Sequence, residues 1–200
     1  MHEIFNFLDL PTKAVKPLFT PSSLKDVATP YLIKVAEELQ EHGVIFTGSI
    51  ALHHHGVLRP NRRIQDIDIV VQSTAEIAKL VSKIEYLEYV TKSGKNTKVY
   101  PNQLQLVQLR YADLIKIDCF IRPEVPETIC IREGIGSLRD ILKAKVDIIV
   151  DQSKEGSLVY KKHRLDLLHF LNAEDKPDRR QGILHGASMD IIEDFLSWLS

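Results

Sequence analysis

Little in this chain is extreme, and each thing it lacks removes a class of protein. It has two cysteines, Cys119 and Cys130, too few for a disulfide framework and spaced unlike any zinc-binding motif. It has no surplus of one charge: 26 basic against 27 acidic residues leave a net charge of −1. Bulk charge therefore cannot coat a nucleic acid or a membrane, and any anionic ligand must be held by a local arrangement of groups. No apolar run approaches the roughly 18 residues of a membrane span. The stretch MHEIFNFLDLPTKAVKP has neither the basic flank nor the apolar run of a secretion signal, so a cytoplasmic location is expected. Internal repeats and low-complexity tracts are missing too. What remains is ordinary globular composition, 44% hydrophobic and 26% charged, in a chain long enough for one good-sized core.

Four of the nine prolines (Pro11, Pro17, Pro21 and Pro30) crowd the first 30 residues, which predicts an extended arm ending where a helix begins. Leu32, Val35, Ala36 and Leu39 recur at helical spacing from Tyr31 to Glu41, with Gly43 as a stop. Val44 to Thr47 reads as a short strand closed by Gly48-Ser49, and Ile50 to His55 as a short helix ended by Gly56. After a basic loop, Asp66 to Val71 alternates and then turns fully apolar, as a strand buried at its far end does. Ser73 with Glu76 is a capping-box signal for a helix whose apolar stripe is Ile77, Leu80, Val81, Ile84 and Leu87. Residues 92–122 predict β-structure, with a turn near Ala112-Asp113 and a strand from Leu114 to Ile121. Ser137 with Asp140 opens another helix, a polar loop at 153–157 follows, and further helices are predicted over 158–172 and 188–199, separated by a charged linker at 173–182. The expected class is α+β: an arm (1–30), a strand-bearing core (31–126) and a helical C-terminal part (127–200).

The chemistry is concentrated in Gly48-Ser49 and Asp66-Ile67-Asp68. On a strand, residues i and i+2 share a face, so Asp66 and Asp68 project side by side. Neighbouring carboxylates repel and stay ionised at neutral pH when a cation lies beside them, and hard oxygen ligands select Mg²⁺ or Mn²⁺. A Gly-Ser turn between strand and helix can offer N–H groups and a hydroxyl to phosphate oxygens. Either feature alone has a plain reading, a solvated strand face or a simple turn; their joint order favours a metal-bound phosphate site. A third acid, Asp118, stands amid apolar residues in Leu114 to Ile121, where it needs a partner or a metal.

Thr47 to Leu52 together with Arg63 to Val70 resembles the signature of the DNA polymerase beta-like nucleotidyltransferase superfamily. Asp140 to Lys145 and Lys161 to Leu167 resemble the later motifs of AbiEii/AbiGii-type nucleotidyltransferases, many of them toxins of toxin–antitoxin pairs. The likeness spans roughly residues 40–172. It implies a nucleotidyltransferase fold, a small mixed sheet flanked by helices, and transfer of a nucleoside monophosphate from an NTP to a hydroxyl acceptor. Gly48 and Ser49 would hold the triphosphate, Asp66 and Asp68 the catalytic ions, and Lys145 would reach the phosphates. Asp166 would be the later acid near the acceptor, and Asp118 the third strand acid, counted with the metal ligands, that helps activate the hydroxyl. A tRNA acceptor and an antitoxin partner are what the closer resemblance implies. Transfer to a protein or a small molecule, or nucleotide or RNA binding without turnover, are the alternatives. His163 departs from the family, which often has Lys-Asp where this chain has Lys162-His163.

Other features have competing readings. The side chains of His53, His54 and His55 diverge by about 100° per residue on a helix and cannot share one ion. Arg59, Arg62 and Arg63 either steer a phosphate or lie in a solvated loop. Six basic residues against two acidic ones over 92–122 suggest an acceptor-RNA surface. Gly134-Ile135-Gly136-Ser137 lacks a P-loop lysine and reads as a helix lead-in. Lys162 and Asp166 have the spacing of a surface ion pair, and Trp198 reads as a packing anchor.

Overall fold

A computed structural model describes residues 19–90, 98–99, 105–122, 134–150 and 158–174. Cys130, the loop at 153–157, the helix at 188–199 and Trp198 lie outside the described residues. Helix α1 (Pro30–Glu41) starts where the prolines end: Pro30 takes the first turn and the Thr29 hydroxyl accepts from Leu32 N. Strand β1 (Ile45–Phe46) leads into α2 (Gly48–His54), so Gly48 and Ser49 form the first turn of that helix and do not precede it. Strand β2 (Asp66–Val71) has its expected limits. Helix α3 (Thr74–Lys83) is capped by Ser73, whose hydroxyl accepts from Glu76 N, while the Glu76 carboxylate accepts from Gln72 N.

The expected stripe on α3 runs too long. The helix stops at Lys83, Ile84 turns extended, and Leu87 opens a strand, β3 (Leu87–Tyr89). Strand β4 (Lys98–Val99) is followed by the hairpin of β5 (Gln105–Tyr111) and β6 (Ile115–Ile121). Tyr111 pairs with Ile115, so the loop has three residues, and Leu114, expected to start the strand, lies in it with 69% of its surface exposed. Helices α4 (Leu138–Val150) and α5 (Leu158–Glu174) complete the described chain; Ser137 caps α4 through Asp140 N, and α5 runs two residues into the expected linker.

The strands form one mixed sheet in the order β1-β2-β6-β5-β3, with β4 also paired on β5; β2 and β6 are parallel and the other pairs antiparallel. The fold is therefore α+β with a small mixed sheet flanked by helices. One sheet face enters the core: Ile67, Ile69 and Val71 of β2, Ile117, Cys119 and Ile121 of β6, and Val107 and Leu109 of β5. Leu32, Val35 and Leu39 of α1, Ile77 and Leu80 of α3, Ile141, Leu142 and Val146 of α4, and Leu167 and Phe170 of α5 belong to the same core. So do Phe19 and Leu24, at the end of the proline-rich arm. Gly134 to Gly136 does more than lead into α4: Ile135 bridges Phe46 in parallel, Phe46 N donates to Gly134 O and Gly136 N to Phe46 O.

Alternation leaves a second face whose register rows differ in chemistry. Val70 and Phe120 share an apolar row with Leu106, Asp68 and Asp118 share the next with Gln108, and Asp66 and Lys116 share the third with Arg110. The hairpin loop that sets this register has Ala112 at φ 47° and Asp113 at φ 59°, left-handed conformations that cost an alanine about 1 kcal/mol. We therefore expect Ala112→Gly to raise stability by about 0.5–1 kcal/mol in urea unfolding.

Candidate active site

Two charged groups face each other across the start of α2. The first is carboxylate-rich and lies on the sheet. The antiparallel pairing of β1 with β2 continues past Phe46, since Thr47 N donates to Asp68 O at 2.8 Å, and so carries the Gly48-Ser49 bend onto Asp68. Gly48 has φ 57°, and a Cβ added there would lie within the Asp68 carboxylate, 2.7 Å from its Cγ. Glycine is needed at this position for both reasons. Parallel pairing with β6 then sets Asp118 beside Asp68, on the face that also carries Asp66.

Asp68 has its pKa raised to about 7, first by burial and then by the charges of Asp66 and Asp118; Lys162 and Lys145 oppose the shift. Asp118 is buried and engaged: Lys116 Nζ donates to it at 2.7 Å and Gln108 Nε2 at 3.0 Å. Burial disfavours the Lys116 ammonium, but the Asp118 bond and the charges of Asp118, Asp66 and Asp68 outweigh it and raise its pKa. Among the described residues no three His, Cys, Asp or Glu side chains converge into a ready metal cage. Asp66 and Asp68 nonetheless fit a hard divalent ion: both are oxygen donors on one strand face, and Asp68 is strained by repulsion that a cation would relieve.

The second group is cationic and centred on Asp166, whose side chain is 3% exposed. Arg59 Nε and Arg62 Nη1 donate to its Oδ1 at 2.8 and 3.2 Å, and Lys145 Nζ donates to Oδ2 at 2.8 Å. Arg62 Nη2 also donates to Ser49 Oγ at 2.9 Å, which ties this group to the bend. The loop bearing the arginines is fastened by Ile64 N on Val27 O and by the Arg63 guanidinium on Asp26 O. Burial works against an ionised Asp166, but Lys145, Arg59 and Arg62 prevail and hold its pKa below the ordinary carboxylate value. Lys145, 4% exposed, has its pKa lowered by burial despite Asp166. His163 Nδ1 lies 3.2 Å from Lys145 Nζ, and burial followed by the charges of Lys145 and Lys162 lowers its pKa to about 3.

Gly48, Ser49, Asp66, Asp68 and Asp118 thus lie on or beside one sheet face, while Lys145 and Asp166 join Ser49 through Arg62. Three readings left open by the sequence are narrowed. Arg59 and Arg62 are not a solvated loop, Asp166 is a buried hub and not half of a surface pair with Lys162, and Asp118 is held by protein groups. The histidines diverge, with His53 Nε2 3.0 Å from Ser23 O and His55 Nε2 2.9 Å from Gly136 O. Lys116 was legible as a strand neighbour of Asp118 on its own face. Gln108 required the hairpin register, and the arginine contacts with Asp166, 107 and 104 residues away, had no local signal.

Two outcomes follow. Removing Asp166 strands two buried cations, Arg62 and Lys145, so Asp166→Ala should cost about 3–5 kcal/mol in urea unfolding. The folded pKa of Asp68 lies above its unfolded value of 3.8, so its contribution to stability is present below pH 4 and lost as pH rises through about 7. In chelator-treated protein, Asp68→Asn should match wild type near pH 4 and exceed it by about 1–3 kcal/mol at pH 8.

No protein-family model matches this chain, and no curated protein matches it in sequence. Two solved structures from Helicobacter pylori are similar to it, each at 14% identity and a TM-score of 0.47. One is JHP933, with 84% of this chain and 73% of that one covered; the other is described as a candidate nucleotidyltransferase, with 83% and 75% covered.

Proposed function

We propose that this protein is a nucleotidyltransferase that uses Mg²⁺ or Mn²⁺ to move a nucleoside monophosphate from an NTP to a hydroxyl acceptor. The observation that carries the reading is the packing of Gly48 directly on Asp68, which places the Gly-Ser bend beside two same-face carboxylates. The acceptor suggested by the motif likeness is tRNA, with the protein acting as a toxin held by an antitoxin.

In the reaction, the acceptor hydroxyl oxygen bonds to the α-phosphorus and its proton passes to solvent, while the bond to the bridging oxygen breaks and pyrophosphate leaves. Asp66 and Asp68 would hold the divalent ion, which supplies charge neutralisation and orientation of the phosphate oxygens. Asp118, whose two oxygens each accept one hydrogen bond, from Lys116 and Gln108, keeps lone pairs with which it would join them. Ser49 Oγ accepts from Arg62 and so keeps its own proton to donate to a phosphate oxygen. Arg62 and Lys145 bring positive charge to the departing pyrophosphate, and Asp166 orients both.

Incubation with each α-labelled triphosphate, Mg²⁺ and total RNA tests the reading. Label should enter RNA with matching pyrophosphate release, and Asp68→Asn should lower the rate by about a thousandfold or more while the protein stays folded. Label on the protein itself would move the acceptor to a side chain. Nucleotide binding without pyrophosphate release would refute an enzymatic role.

A further inference from the structure

We infer that His163 is a positioning residue: it holds Lys145 without adding a counter-charge, so the cationic group bonded to Ser49 through Arg62 keeps a positive excess for an oligo-anionic ligand. The nature of that ligand, a polyphosphate chain, rests on the nucleotidyltransferase reading; the rest stands on geometry. Lys145 Nζ is 2.8 Å from Asp166 Oδ2 and 3.2 Å from His163 Nδ1. An ammonium has donors and no acceptor, so Nδ1 must present its lone pair and the ring carries its proton on Nε2. An imidazolium there would set a second cation 3.2 Å from Lys145, with Arg62 and Lys162 adding to the repulsion.

The charge balance shows what this achieves. Arg59, Arg62 and Lys145 are all ion-paired with one carboxylate, Asp166, so in direct pairs three cations share one counter-charge; the charge of Asp68 also reaches Lys145. A carboxylate at 163 would share Lys145 with Asp166 and remove one unit of that excess. A neutral imidazole supplies the hydrogen bond and leaves the charge available. Near a partly buried site, one unit of charge at about 6–8 Å changes the affinity of a multivalent anion by about tenfold or more, and added salt screens the effect.

Calorimetric titration of the full chain with inorganic tripolyphosphate tests this. At about 50 mM salt, His163→Asp should weaken binding about tenfold, with the gap closing toward 1 M salt. His163→Asn, whose amide oxygen replaces Nδ1 as acceptor, should stay within about twofold of wild type. Should His163→Asp fail to fold, His163→Ala carries the test: it frees Lys145 and should weaken binding about threefold, and Asn at the same position should restore it. Equal affinity for wild type and His163→Asp, or for Ala and Asn variants, would overturn the inference while leaving the nucleotidyltransferase reading in place. Absence of both tripolyphosphate and NTP binding in wild type would overturn the two together.

Discussion

The carboxylate of Asp68 occupies the space that a side chain at position 48 would fill, and the arrangement of the whole site follows from that contact. Strand β1 is two residues long, yet it is held from both sides. On one it pairs with β2; on the other Phe46 exchanges backbone bonds with Gly134 and Gly136. A short strand fixed in this way enters α2 at one place only, and the left-handed φ of Gly48 turns the chain directly over Asp68. The parallel register of β2 with β6 extends the same geometry to Asp118, and the β5–β6 hairpin extends it to Gln108.

Charge is segregated around this contact to a degree that stability alone does not favour. The sheet face sets Asp66 and Asp118 beside Asp68 and so raises the proton affinity of Asp68, while α4 and the loop before β2 gather cations around a single buried acid of α5. Burying like charges costs free energy unless each finds a partner, and replacing buried ion clusters with apolar groups is often neutral or stabilising. A ligand that brings both signs, a divalent cation with a polyphosphate, offsets both excesses at once. That complementarity supports the proposed function, and Arg62 links the two halves by bonding Ser49 and Asp166 together.

Much of the scaffold was legible residue by residue. The caps at Ser73 and Ser137 and the limits of β2 are signalled by local hydrogen bonding and alternation. The failures lie where a long-range contact overrode a local pattern. Leu87 continues the helical spacing of α3, but pairing of Leu87 with Tyr111 takes it into a strand. A strand beginning at Leu114 implies a two-residue loop, and the real three-residue loop shifts the register by one, which decides that Gln108 and not its neighbour faces Asp118.

The amino-acid sequence by itself determined the α+β class, most helix starts, and the common face of Asp66 and Asp68, because capping and period-two alternation act within a few residues. Tertiary structure decided which charges meet. Asp166 becomes a buried hub for Arg59, Arg62 and Lys145, and Asp118 is claimed by Lys116 and Gln108. Those contacts depend on where helices and strands distant in the chain are packed, and Coulomb attraction acts on distance in space, which spacing along the chain does not encode.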